Sequence, residues 1–341
     1  MMRYLTIALG LTLVAPACSD EDDDAETVTE ALLGEPSILV DLDEASGGMS
    51  VTVESITADA DGVLFVSDRE SGNIYSVDPD DATPVVVGKL DDRTDAAGAA
   101  QRANGAGLVF TPAGDLLIAS GTFGEVLRLT AAELEAGDAS AQTHITGVQG
   151  ANSVLLEGGE LYVSGGATGN IYVAAASGGA AEVWATIAPT ARAVPPDNFM
   201  QAVVANGLAR DPNGDLLVAD TARAAVWRIP ESANGSAGTA EIWVQDAALE
   251  GIDGLTYDPL GRLWAAVNEH NALVVVEDGS IREVHRNGNT GPLEFPAALV
   301  FVGNTGYVAN FDRARADNFA PDGTTSSAGI GASIAQFRLA P

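Results

Sequence analysis

Glu54, Asn104, Asn152, Asn206, Asp253 and finally Pro296 with Ala297 follow one another at intervals of roughly 43 to 54 residues. Each stands just ahead of an apolar strand. Five of the six positions carry an oxygen-bearing side chain, and strand packing asks for none of them. Brought together and buried, such a ring would be costly without a partner. A hard divalent cation is the partner that carboxylates and amide carbonyls suit, because calcium takes six to eight oxygen ligands. Glu54 and Asp253 would balance the charge of Ca2+, and Asn152 and Asn206 would add neutral oxygens. No Cys or His stands at these positions, which argues against zinc, copper or iron. Asn and Asp also start strands and cap turns. That alternative accounts for Asn104 alone more readily than for all five.

Few other residues offer chemistry. The chain has three histidines. His144 and His285 fall in outer-strand or inter-blade segments. His270 follows an apolar strand, in a loop expected to open on the same face as Asp253, and as an imidazole it is the candidate proton carrier. A G-x-S-x-G elbow, an H-E-x-x-H motif, a P-loop and a dinucleotide fingerprint are all absent from the sequence.

The elements that would position these residues repeat with the same period. ITADADGVLFVSD from Ile56, LVFTPAGDLLIAS from Leu108, VLLEGGELYVSG from Val154, LARDPNGDLLVAD from Leu208, LTYDPLGRLWAAV from Leu255 and LVFVGNTGYVAN from Leu299 share one pattern. Each is an apolar strand, a Gly-containing turn and a second apolar strand. A third strand follows at Asn73 to Val77, Glu125 to Leu129, Asn170 to Val173, Ala225 to Ile229 and Ala272 to Val276. A fourth is legible at Val85 to Val87, Val183 to Ile187 and Glu241 to Val244. The spacing is that of propeller blades. The expected fold is therefore an all-β, six-bladed β-propeller over residues 37–341. The last repeat keeps only Ser333 to Leu339 near the C-terminus, and Ser37 to Leu42 is an orphan strand ahead of the first. Pairing the two closes the ring and removes two exposed edges. The segments 188–204 and 310–330 are longer than ordinary turns and lie beside the expected mouth.

From about Ser37 onward the chain resembles the calcium-dependent six-bladed propellers comprising gluconolactonase, regucalcin (senescence marker protein), paraoxonase and squid-type diisopropylfluorophosphatase. Asn206-Gly207-Leu208 followed by DPNGDLLVADT resembles the family's N-G-L segment, and Asp253-Gly254-Leu255 followed by DPLGRLW its D-G-L segment. The resemblance implies calcium ligands at Glu54, Asn206 and Asp253, with Asn152 a fourth ligand or a water-holding and substrate residue. Two departures stand out. Ser55-Ile56 follows Glu54 where the gluconolactonase branch has Gly-Pro, and Pro296 with Ala297 stands where the phosphatase branch has a histidine. Arg102-Ala103-Asn104 is similar to the family's R-x-N substrate motif but occurs one blade early.

The N-terminus points to export. Arg3 precedes the apolar run Leu5 to Val14, which is too short to span a bilayer as a mature helix. Ala15-Pro16-Ala17 leads into Cys18, the chain's one cysteine, in a stretch that resembles a lipobox. Residues 1–17 are expected to be a lipoprotein signal peptide, Cys18 the lipidated residue and 18–36 an acidic tether. That places the protein at the bacterial cell envelope, held to the membrane through the lipid anchor only, with no intrachain disulfide available. A formal charge of −32 with a single lysine, Lys89, leaves little to meet a phosphate backbone, so nucleic acid is excluded as a partner. A monomer acting on a small-molecule substrate or ligand is expected.

Two function classes fit these residues. One is a calcium-dependent hydrolase of lactones or related esters, with Asp253 and His270 as its catalytic groups. The other is a non-catalytic envelope propeller that binds a ligand or protein, its calcium being structural.

Overall fold

The D-P-x-G and D-A-D-G turns show how the repeat folds. Asp211 Oδ1 accepts the backbone N–H of Asn213 at 2.8 Å and of Asp215 at 2.9 Å. Asp258 Oδ1 does the same for Leu260 and Arg262, both at 2.9 Å, and Asp59 for Asp61 and Val63. A glycine in the left-handed region completes each turn, with φ of 88° at Gly62, 90° at Gly214 and 80° at Gly261. Such hairpins recur along a computed structural model of the chain. It describes residues 33–340 apart from 46, 48–50, 95–97, 138, 188–202, 289 and 312–329. Cys18, the expected signal peptide and nearly all of the expected tether lie outside the described residues, as do most of the two long segments.

Six four-stranded antiparallel meanders form the blades, and in five of them the four strands follow one another in chain order. Blade one comprises Val53–Ala58, Leu64–Asp68, Asn73–Val77 and Pro84–Lys89. Blade two comprises Gly105–Phe110, Leu116–Ser120, Glu125–Leu129 and Gln142–Thr146; blade three, Ala151–Glu157, Glu160–Gly165, Asn170–Ala175 and Glu182–Thr186. Blade four runs through Leu208–Arg210, Leu216–Asp220, Ala225–Ile229 and Glu241–Gln245. Blade five runs through Ile252–Tyr257, Leu263–Val267, Ala272–Glu277 and Ser280–Arg286. Blade six takes Pro296–Val302, Thr305–Asn310 and Ser333–Arg338, and Ser37–Asp41 supplies its outermost strand, antiparallel to Ser333–Arg338. The expected closure by the orphan strand is present. The chain joins this blade even earlier than its predicted boundary, because Leu33 bridges to Leu339 and is buried.

The second strands are buried along their whole length in blades one, two, four and five. Alternate residues face opposite neighbours. In blade one, Leu64 and Val66 pack with Tyr307 and Ile334 of blade six, while Phe65 packs with Leu108 and Ile118 of blade two. Each pair of adjacent blades shares such a cluster, including the pair that closes the ring. Each buried Leu, Ile or Val contributes on the order of 1.5–3 kcal/mol. This apolar packing holds the fold together.

Candidate functional site

The first strand of nearly every blade slips in register against the second near its start. The slip falls between Val53 and Ile56 in blade one, Ala151 and Val154 in blade three, and Ile252 and Leu255 in blade five. Glu54, Asn152 and Asp253 stand in these gaps. Bulges of this kind turn a side chain out of the pleat and are found at barrel rims and active sites. The expectation placed these residues ahead of the strands. The structure places them within the strands, at the bulges, and only Asn104 and Asn206 precede theirs.

The glycines that follow have a steric reason. A Cβ on Gly207 would lie 2.3 Å from the Asp253 carbonyl oxygen, and one on Gly254 would lie 2.8 Å from that of Ala297. The inner strands of blades four, five and six therefore approach backbone to backbone. The Gly207 N–H donates to the Asp253 carbonyl oxygen at 3.1 Å across that contact.

Glu54, Asn104, Asn152, Asn206 and Asp253 line one cavity of about 140 Å³, together with Arg69, Val203, Phe295 and Phe311. All four residues expected to bind the metal thus meet. Asp253 is buried, and its Oδ2 accepts Asn268 Nδ2 at 3.1 Å. Burial pushes its carboxyl up to about 8, against the opposing effect of hydrogen bonds from Asn268 and Asn206 and of the Arg69 charge. Asn206, also buried, donates from Nδ2 to Thr221 Oγ1 at 3.0 Å, and Thr221 Oγ1 donates to the Ile252 carbonyl oxygen at 2.6 Å. Glu54 pairs with Arg69. Asn104 is occupied with its own loop, since its Oδ1 accepts both the N–H and the hydroxyl of Thr122.

His270 is not brought to this cavity. It ends a short turn after the second strand of blade five, where its Nε2 lies 3.7 Å from Glu250 and its Nδ1 lies 2.9 Å from Arg286 Nη2. Arg102 likewise points elsewhere, pairing with Asp92 on a small hairpin of Asp92–Thr94 and Ala100–Arg102.

Three lining residues escaped the reading of the sequence. Arg69 follows the second strand of blade one. Phe295 holds a left-handed backbone at φ 50°, an uncommon conformation for a bulky residue, of the kind that gathers at functional sites. Its N–H donates to Asn271 Oδ1 at 2.8 Å, and its ring packs 5.9 Å from that of Phe311. Phe295 and Phe311 give the cavity an apolar wall beside its carboxylates.

Among the described residues no three His, Cys, Asp or Glu side chains cluster as a metal site. The cavity offers two carboxylates and three amides, an all-oxygen set that suits a hard ion. The upward push on Asp253 is the cost of burying a carboxylate among neutral donors, and a divalent cation would remove it. These residues fit a hard divalent cation.

A family model described as SMP-30/Gluconolactonase/LRE-like region matches residues 52–308. No curated protein sequence matches the chain. Among solved structures, a gluconolactonase from Xanthomonas campestris has 15% identity, covers 91% of each chain and has a TM-score of 0.62. Regucalcin from Agrobacterium tumefaciens, a calcium-binding protein, has 16% identity, with 90% of this chain and 93% of that one covered at a TM-score of 0.59. Virginiamycin B lyase from Staphylococcus aureus has 12% identity, with 90% and 99% covered at 0.53. At such identities these structures share the fold. The match over residues 52–308 spans all six inner strands, from Val53–Ala58 to Pro296–Val302: the chain belongs to the SMP-30/gluconolactonase/LRE-like family.

Proposed function

We propose that the protein is a calcium-dependent hydrolase of lactones or related esters, carried on a cell-envelope lipoprotein. One observation carries the reading: the buried Asp253 carboxyl faces Glu54, Asn152 and Asn206 across a small cavity that also has an aromatic wall. Glu54, Asn152, Asn206 and Asp253 would hold the ion. Calcium bound there would supply a Lewis acid for the carbonyl oxygen of the substrate. Asp253, once ionised, would take the proton of a water that attacks the carbonyl carbon and return it to the ring oxygen as the acyl C–O bond breaks. Asn206 and Asn268 orient Asp253 through their amides, and Thr221 fixes Asn206 in turn. Phe295 and Phe311 exclude water from one side of the bound ring. His270 has no part in this reading, since its ring faces Glu250 and Arg286.

A panel of lactones and aryl esters, assayed with and without calcium, tests the reading. Turnover should require calcium and should fall by at least about a hundredfold in Asp253→Asn, the scale of losing a general base. If the calcium-loaded protein turns over nothing on the panel, the hydrolase reading fails. The protein is then a ligand-binding propeller with structural calcium.

A further inference from the structure

Arg69 is the one basic side chain among the described residues that line the axial cavity. Its backbone is pinned where blade one ends its second strand. The Arg69 N–H donates to the Thr52 carbonyl oxygen at 2.9 Å, and the Asp68 carboxylate accepts the N–H groups of Thr52 and Glu70, each at 2.9 Å. From that anchor the side chain reaches Glu54, and its guanidinium carbon lies 5.7 Å from the centre of the Phe311 ring. The Glu54 carboxylate is thus already held by a cation that belongs to the protein.

Two consequences follow from charge alone. A calcium ion that takes Glu54 competes with Arg69 for the carboxylate. The cavity lining, with two carboxylates and one guanidinium, is net negative by one when both acids are ionised, and a divalent ion reverses that sign. A positively charged pocket in a protein of formal charge −32 favours an anionic ligand. The guanidinium fork suits a carboxylate, and the neighbouring Phe311 face suits the guanidinium plane.

We infer that Arg69 sets the specificity of this site: it competes with calcium for Glu54, and in the loaded protein its guanidinium holds the free carboxylate of the substrate. The preferred substrates are then lactones that carry a second, ionised acid group. This inference rests on the calcium reading above.

Calcium calorimetry on the chelator-stripped full-length protein tests it without reference to turnover. Arg69→Gln should bind calcium about tenfold more tightly than wild type, within the range of ordinary site-to-site coupling. Arg69→Lys, which keeps the charge and loses the fork, should fall between them and guards against a folding defect in the first variant. The second arm compares a lactone of glucaric acid, which has a free carboxylate, with the neutral lactone of gluconic acid. The wild type should prefer the first, and the preference should drop about tenfold in Arg69→Gln through KM. Equal or weaker calcium binding in Arg69→Gln overturns the competition, and an unchanged preference overturns the anchoring role. If no protein binds calcium, the calcium reading falls and this inference falls with it.

Discussion

Asn268 donates from Nδ2 to Asp253 Oδ2 at 3.1 Å, and both side chains are buried. The pair joins the bulge of one strand to the end of the next within blade five. Asn268 begins the turn after Leu263–Val267. The Asp253 backbone is held from the other side by the N–H of Gly207. The carboxyl at the centre of the proposed chemistry is therefore set by blades four and five together.

Removing that donor should move Asp253 in a defined direction. The Asn268 hydrogen bond opposes the upward push of burial, so Asn268→Ala should raise the Asp253 pKa further. At pH 7.5 the carboxyl is then more often protonated and calcium binds more weakly, whereas well above pH 8 much of the loss should return. Folding stability should fall by about 1–3 kcal/mol, the cost of leaving a buried acceptor without its donor. Denaturant melts and calcium titrations at the two pH values check both statements, and an equal calcium defect at each pH would count against the link.

Gly207→Ala should disturb the same carboxyl from the neighbouring blade. The new Cβ would meet the Asp253 carbonyl oxygen at 2.3 Å and the Leu255 nitrogen at 2.6 Å. Both are backbone atoms, so no flexible side chain can give way. A loss of about 1–3 kcal/mol, typical of overpacking, should accompany a smaller rise in melting temperature on adding calcium. Gly288 is the control, because a Cβ there meets nothing within 4 Å. Gly288→Ala should melt close to wild type with calcium or without.

The blades were legible because hairpin chemistry repeats: an Asp that ties its own turn, a glycine with positive φ, and apolar runs on both sides. The outer strands Gln142–Thr146 and Ser280–Arg286 were not. They sit away from the axis, and QTHIT and SIREVHR carry no clear apolar alternation. The oxygen-bearing residues that line the cavity were legible as a recurrence, yet the bulges that carry three of them leave no mark on composition. Asn268 had a signal that passed unused. Asp68, Asp220, Asn268 and Asn310 are buried polar residues at or just after the ends of second strands, which apolar packing alone does not explain. Arg69 and Phe295 had none, since only the fold shows that one reaches Glu54 and that the other has a left-handed backbone.

Anchoring can be tested apart from chemistry. If Cys18 carries lipid, the full-length protein should partition into the detergent phase and Cys18→Ser should remain in the aqueous phase. Each buried CH₂ of an acyl chain contributes about 0.8 kcal/mol to membrane binding, so the shift should be nearly complete. Unchanged partitioning would leave an ordinary signal peptide as the better account of residues 1–17.

The Asp253 carboxyl should also leave a mark on stability against pH. Its folded value of about 8 lies above the ordinary carboxylate value of 3.8. A raised value means that the folded state keeps a proton the unfolded state has released. The associated stability is fully present below the unfolded value and is lost as pH rises from about 4 to about 8. Near the middle of that window the slope approaches about 1.4 kcal/mol per pH unit for one proton. Asp43 and Asp220 are raised by burial and work in the same sense, while Asp258 is lowered and opposes them. The Asp253 share is therefore read as the difference between wild type and Asp253→Asn, which keeps the shape and cannot ionise. Calcium should reverse the trend. The ion binds the carboxylate form, so its affinity should rise with pH up to about 8 and level off above, with a proton released on binding. Chelated wild type that melts at the same temperature from pH 5 to 8.5, in parallel with Asp253→Asn, would remove the buried carboxyl from the account.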